Sequence, residues 1–199
     1  YDDFVKNLNK AKFGSIVFDY DGTLCSGNKE ERYNKPCKEI DDESLKLLKN
    51  DILLGIATGR GKSVREALQK SIPQKYWSKI VIGYYNGSDI GLLSDNKCPD
   101  KAREMNPSLI EIKNLLEKDR LISKKIKTES RPDQLTVDIF DKSINIYTII
   151  DFITRANVKN IKVVESSHSL DIISQNVSKI NLVNYCRQLL KEHDKEGSI

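Results

Sequence analysis

Apolar positions along the chain keep two different rhythms. Ser15-Ile-Val-Phe18, Ile52-Leu-Leu-Gly-Ile56 and Lys79 to Gly83 are short, continuous, β-branched runs. Such runs predict strands buried on both faces. Between them the spacing turns helical: Asp41 or Asp42 is placed to cap a helix carrying Leu45, Leu47 and Leu48, and Val64, Ala67, Leu68 and Ile72 share one side of a second. Strand, helix, strand, helix, strand predicts a parallel sheet with crossover helices. A polar stretch without periodicity, Cys25 to Lys38, predicts a loop or flap after the first strand.

After Asn86-Gly87 the rhythm changes. Asn106-Pro107 is the favoured order for opening a helix, whose apolar set is Leu109, Ile112, Leu115 and Leu116. Gln134 to Phe140 alternates, with Leu135, Val137 and Ile139 on one face, which predicts a sheet with one wet side. A turn at Thr128 to Asp133 joins it to the strand before. A helix from about Ser143 to Arg155, a strand at Ile161 to Val164 and a last strand at Leu170-Asp-Ile-Ile173 complete a separate α+β layer. Ser178 then caps a closing helix with Leu182, Val183, Cys186, Leu189 and Leu190 at helical spacing, and Gly197-Ser198-Ile199 reads as the start of another strand. The expected fold is therefore α/β: a Rossmann-like parallel-sheet core at residues 1–92 and 166–199, with an inserted α+β domain at 93–165.

Composition changes this picture little. With 33 basic and 29 acidic residues the net charge of +4 is too small to argue for nucleic acid, which is not expected as a partner. The locally basic segment Lys118 to Arg131 reads either as a solvated face or as an anion-facing surface. No run approaches 18 apolar residues, so no membrane span is expected. Cys25, Cys37, Cys98 and Cys186 form no close pair, and with His168 and His193 as the only histidines a zinc site is not expected. Scattered free thiols fit a reduced, cytoplasmic protein, in which the glycosylation sequons at Asn86 and Asn176 are accidental. The chain opens on Tyr1 rather than Met, so its start is read as a boundary within something longer.

Candidate chemistry concentrates in Phe18-Asp19-Tyr20-Asp21-Gly22-Thr23-Leu24. Two carboxylates one residue apart sit where a buried strand ends, the place where open α/β sheets bind ligands. Gly22 allows a tight turn and Thr23 adds a hydroxyl. Ile56-Ala57-Thr58-Gly59-Arg60 ends the next strand 37 residues past Asp21, and Asn176-Val-Ser-Lys179 opens the last helix.

These three segments resemble the motifs of the haloacid dehalogenase-like (HAD) superfamily of phosphotransferases. Asn86-Gly87 and the position of the insert resemble the subfamily with a C2-type cap, which includes Cof-type and sugar-phosphate phosphatases. Tyr20 also gives the Asp-Tyr-Asp-Gly-Thr of trehalose-phosphate phosphatases. The resemblance implies that Asp19 is the nucleophile that forms an aspartyl-phosphate, and that Asp21 is the general acid/base. Thr58 would bond a phosphoryl oxygen, and the Lys179 ammonium would pair with Asp19 and the phosphoryl group. Asp19 and Asp21 would hold Mg²⁺. Gly22, Thr23, Gly59 and Arg60 would line the phosphoryl site, and Arg131 would reach the distal part of a small phosphorylated substrate. The activity implied is a Mg²⁺-dependent phosphohydrolase. The same motifs also suit a phosphomutase; a non-catalytic binding or regulatory module of a larger polypeptide, with other domains as its partners, is the rival reading, opposed by the intact Asp19, Asp21, Thr58 and Lys179 and favoured by the missing fourth motif. The family's fourth motif, carboxylates ending the next strand, would fall past Ile199, which implies that the core continues there.

Overall fold

The computed structural model describes residue 6 and residues 12–26, 35–100, 102–165 and 169–192. Most of the expected Cys25–Lys38 loop and all of Gly197-Ser198-Ile199 lie outside them. The chain divides into two compact units, Tyr1–Pro99 with Ser178–Ile199, and Asp100–Val177.

In the first unit, β1 (Ser15–Asp19), β2 (Leu53–Ala57) and β3 (Ile80–Tyr84) pair in parallel in that order. Beyond β3 an antiparallel strand, β4 (Asp89–Leu92), closes the described sheet. It was not legible as a strand, because Asp89-Ile-Gly-Leu92 is short and half-exposed. Helices α1 (Lys38–Lys49) and α2 (Lys62–Ser71) bury Leu48, Val64 and Leu68 in one cluster with Leu54, Ile56, Ile80 and Ile82. The last helix, α5 (Ile180–Glu192), packs Leu182 and Cys186 with Ala57 and Val81, and with Val17 and Leu53, which occupy the alternate positions of the same strands. Both faces are thus covered, which is why these strands carry no polar alternation. Gly55 and Gly83 let α5 lie close: a Cβ at Gly55 would meet Cys186 Sγ at 3.1 Å, and one at Gly83 would meet Leu182 at 3.1 Å. α1 begins before the aspartates expected to cap it. Cys37 holds the cap position without a side-chain bond to the helix backbone, and Asp41 sits in the first turn, where its charge meets the positive helix end.

The second unit is a four-stranded antiparallel sheet in the order β5 (Ile126–Arg131), β6 (Gln134–Ile139), β8 (Leu170–Ser174), β7 (Ile161–Glu165). Helices α3 (Pro107–Lys118) and α4 (Ile146–Ala156) bury Leu109, Ile112, Leu116, Ile149 and Ile153 with Leu135, Val137, Leu170 and Ile172. Both start on an asparagine whose side chain accepts a backbone N–H: Asn106 from Ser108, Asn145 from Thr148.

The boundaries differ from those expected. β8 pairs with β6 and β7, so residues 166–177 belong with the second unit rather than the core. Residues 93–99 belong with the core: Leu93 is fully buried in its cluster and donates its N–H to Ile80, while Arg65 holds the carbonyls of Asp95, Asn96 and Cys98. The predicted turn at Thr128 to Asp133 is also shorter in fact. β5 runs to Arg131, which pairs opposite Gln134, leaving Pro132-Asp133 as the tip.

Candidate active site

The site assembles at the carboxyl ends of β1 and β2. Parallel strands buried on both faces leave their ends as the place for polar chemistry, and the sequence puts its carboxylates there. Tyr20 donates its N–H to Ala57 O (2.9 Å), which ties the turn after β1 to the end of β2. Gly22 then takes φ +79°, with its N–H on Cys25 O at 2.9 Å. Left-handed backbone of this kind suits glycine, the residue present. Thr23 lies exposed beside it, and Leu24 and Cys25 turn back into the core.

Asp19 ends β1 with its side chain 43% exposed. Its Oδ1 accepts from Tyr20 N at 3.0 Å and from Lys179 Nζ at 2.8 Å, across 160 residues of chain. Lys179 stands one residue before α5, where Ser178 Oγ accepts the N–H of Ile180 at 3.3 Å, the cap that the sequence predicts.

Asp21 is held from the other side. Thr58 Oγ1 donates to its Oδ2 at 3.2 Å and accepts Arg60 N–H at 3.0 Å; the hydroxyl is fully buried and needs partners of this kind. Arg60 Nη2 lies 2.5 Å from Asp21 Oδ1. The guanidinium carbon also stands 5.4 Å from the centroid of the Tyr20 ring, so Arg60 sits between an aromatic face and a carboxylate. The Tyr20 hydroxyl is buried and makes no hydrogen bond among the described residues. Burial pushes its pKa up, so the ring offers Arg60 a neutral face. Tyr20 was legible only as part of a motif, since nothing in the sequence ties it to Arg60.

The structure therefore brings together Asp19, Asp21, Gly22, Thr58, Arg60 and Lys179, with Thr23 and Gly59 in the same two turns. Arg131 is not part of these turns of the first unit. Arg131 lies in the second unit, where its Nη1 donates to Thr136 Oγ1 (3.0 Å) and its Nη2 pairs with Glu129 (2.7 Å). Sequence reasoning did not foresee how Tyr85, Asn86 and Gly87, all buried, join the site from behind: Tyr85 N–H bonds Arg60 O at 3.2 Å and Asn86 N–H bonds Thr58 O at 2.8 Å.

Asp19 and Asp21 offer hard carboxylate oxygens at partly exposed positions, 43% and 37% for their side chains. This donor set suits Mg²⁺, which is usually bound by one or two carboxylates together with waters and substrate phosphate. Among the described residues no cluster of three or more His, Cys, Asp or Glu side chains forms a further metal centre.

The fold, a parallel-rich core sheet with a separate antiparallel unit, is the one shared by solved HAD-like hydrolases and sugar phosphatases. The particular likenesses are to sugar-phosphate phosphatases. The C-terminal domain of Candida albicans trehalose-6-phosphate phosphatase superposes at a TM-score of 0.63 with 15% identity, over 90% of this chain and 63% of that one. A sugar phosphatase of HAD subclass IIB gives 0.62 at 11% identity, over 92% and 76%. The sucrose-phosphatase of Synechocystis gives 0.56 at 17% identity, over 94% and 72%. This chain thus spans less than two thirds of the length of the Candida domain it matches. No family model and no curated protein matches the sequence. Among the described residues no helix is long and apolar enough to cross a membrane.

Proposed function

We propose that this chain carries the site of a phosphohydrolase that acts through Asp19 on a small phosphorylated metabolite, a sugar phosphate being the class best supported. The observation that carries the reading is the 2.8 Å pairing of Asp19 Oδ1 with Lys179 Nζ. A carboxylate approaching a phosphate dianion needs its repulsion neutralised, and an ammonium fixed on the attacking group supplies that at the reacting centre. The Tyr20 amide and Lys179 both occupy Oδ1. Oδ2 is then the oxygen free to attack phosphorus, with no hydrogen bond to it among the described residues.

In this scheme the new Asp19–phosphorus bond forms as the ester oxygen leaves. Asp21, steered by Thr58 and Arg60, gives that oxygen its proton. Water then attacks phosphorus, returns a proton to Asp21 and releases phosphate, restoring the Asp19 carboxylate. Asp19 and Asp21 would hold Mg²⁺, which when bound supplies further positive charge for the phosphoryl oxygens. The Asp100–Val177 unit is proposed as the cap that selects the substrate, with Arg131 on its non-reacting part. Four free cysteines, three of them buried, are compatible with a reducing, cytoplasmic setting. Sugar-phosphate recognition is inferred from the named activities of the structural neighbours.

The test is phosphate release from a panel of sugar phosphates with Mg²⁺, wild type against Asp19→Asn. Turnover that disappears in the variant supports the reading, and transfer to a second sugar hydroxyl in place of release would make the protein a mutase. Phosphate binding without turnover on any ester would make it a binding module and overturn the reading.

A further inference from the structure

Tyr85 (φ +48°), Asn86 (φ +61°) and Gly87 (φ +88°) are three consecutive left-handed residues between β3 and β4. Only the last is a glycine. Left-handed backbone is disfavoured for side chains with a Cβ, and persists where the surroundings over-determine it. Here the surroundings are the two arms of the candidate site.

On one side, the Tyr85 and Asn86 N–H groups bind the carbonyls of Arg60 and Thr58, at 3.2 and 2.8 Å. The Tyr85 ring lies against Gly61, where a Cβ would come within 2.9 Å of three ring and hydroxyl atoms. On the other side, Gly87 meets the segment that opens α5. A Cβ on Gly87 would lie 2.9 Å from the carbonyl carbon of Ser178 and closer still to its oxygen. These are backbone atoms, which cannot swing aside as a side chain would. Asn181 Nδ2 reaches back to Gly87 O at 3.3 Å. The next residue after Ser178 is Lys179.

We propose that this turn positions both arms of the site: it fixes the Thr58–Arg60 loop against Asp21, and Gly87 sets the place from which Lys179 reaches Asp19. Gly87 and Asn181 are positioning residues that act through Lys179. The inference rests on the role proposed above for Lys179.

The experiment is a double-mutant cycle on the full chain, read as kcat/KM on a phosphate ester and as affinity for inorganic phosphate. Gly87→Ala is expected to lower kcat/KM by about ten- to a hundredfold, and Lys179→Ala by more. In the Lys179→Ala background, Gly87→Ala is expected to add less than about twofold, because the group it positions is gone. Gly91→Ala is the steric control. Its Cβ would meet Cys98 at 2.7 Å within β4 and its neighbouring loop, away from both arms, and the folded fraction is expected to keep wild-type kcat/KM within about twofold. If Gly87→Ala fails to fold, Asn181→Ala decides the question. It removes only a side-chain amide, and is expected to cost a few-fold in kcat/KM in the wild type and nothing in Lys179→Ala. Losses that multiply unchanged in the Lys179→Ala background overturn the inference and leave the proposed function standing. A Lys179→Ala variant with wild-type turnover and phosphate affinity overturns both.

Discussion

The two sheets of this molecule put their polar groups in different places. In the first unit the strands are apolar along their length, and the carboxylates and cations stand at the strand ends, partly exposed, around the buried Thr58 hydroxyl. In the second unit the polar groups stand on the sheet face itself. Glu129, Thr136 and Asp171 lie side by side across β5, β6 and β8, with Arg131 beside Gln134 in the next row. Both arrangements follow from where the helices pack. A parallel sheet needs crossover connections, which here cover both faces and leave only the ends. An antiparallel sheet connects by hairpins, so α3 and α4 cover one face and the other can carry a polar network. The lesson is that end positions give a few groups that point at one spot, while a face gives a graded surface. The first suits bond-making and the second suits selection.

The largest expected effect tests the strand ends. Asp19→Asn keeps the shape of the side chain and loses the attacking anion, so kcat should fall at least a thousandfold, on the order of 4 kcal/mol in barrier. Circular dichroism and thermal unfolding should stay near wild type, because Asp19 is exposed and buries no apolar surface. Residual activity within about tenfold of wild type would move the nucleophile elsewhere and break the comparison at its stronger end.

Legibility followed the same division. The core strands were readable because continuous β-branched runs have one meaning when bounded by helices, and the positions of Asp19, Asp21 and Thr58 at strand ends and of Lys179 at a helix start were readable because motif and element boundary coincide. Their pairing was not: that Arg60 turns onto Asp21 and Tyr20, or that Thr58 donates to Asp21, depends on turns whose geometry lies outside hydrophobic patterning. In the second unit the alternation at Leu135, Val137 and Ile139 placed the core face correctly. It also predicted a wet opposite face, whereas Gln134, Thr136 and Asp171 are buried at 2%, 5% and 8% exposure. Period 2 separates polar from apolar positions, and burial of the polar set depends on the network those residues make with one another and on what else packs there. β4 and the hold of Arg65 on residues 95–98 were missed for a related reason, since a short half-exposed strand and carbonyl clasps leave no periodic trace.

A mid-sized effect tests whether the face selects substrate. Arg131→Ala is expected to lower kcat/KM for the preferred substrate about ten- to a hundredfold, the ~1.5–3 kcal/mol of a hydrogen bond to a charged group. A small generic phosphate ester should be hydrolysed almost as before, because remote contacts serve only substrates large enough to make them. Equal loss on both substrates would place Arg131 at the phosphoryl group, and no loss on either would give it a structural part in its own sheet, where it bonds Thr136 and Glu129.

Next in size is the hub of the polar face. Thr136 Oγ1 accepts from Arg131 and Gln134 and donates to Asp171 Oδ1 at 2.7 Å, which uses the hydroxyl's whole capacity. Thr136→Val keeps the volume and takes one of its donors from the buried Asp171 carboxyl. A stability loss of about 1–3 kcal/mol is expected, measured by denaturant unfolding, with kcat on a small ester unchanged. A loss below a few tenths of a kcal/mol would show that the network contributes little to holding the sheet.

The smallest effect comes from Asp171 and is visible mainly as a pH dependence. Burial raises the pKa of its carboxyl, and the bonds from Thr136 and Gln134 and the charge of Arg131 only partly oppose this. A carboxyl whose folded pKa lies above its unfolded value binds its proton more readily in the native state. Between the unfolded value, about 3.9, and the raised one, the native state therefore holds more protons, and stability falls as pH rises through that window. At neutral pH the buried charge remains a cost. Asp171→Asn removes the titration and keeps an oxygen able to accept from Thr136. The difference in melting temperature, variant minus wild type, should then be most positive at neutral pH and shrink as pH falls through the raised pKa toward about pH 4. Taking the difference cancels the other carboxylates, which titrate alike in both proteins. A difference that stays flat across this range, or grows in acid, would mean that Asp171 is effectively solvated, and that the second sheet's face is wet after all.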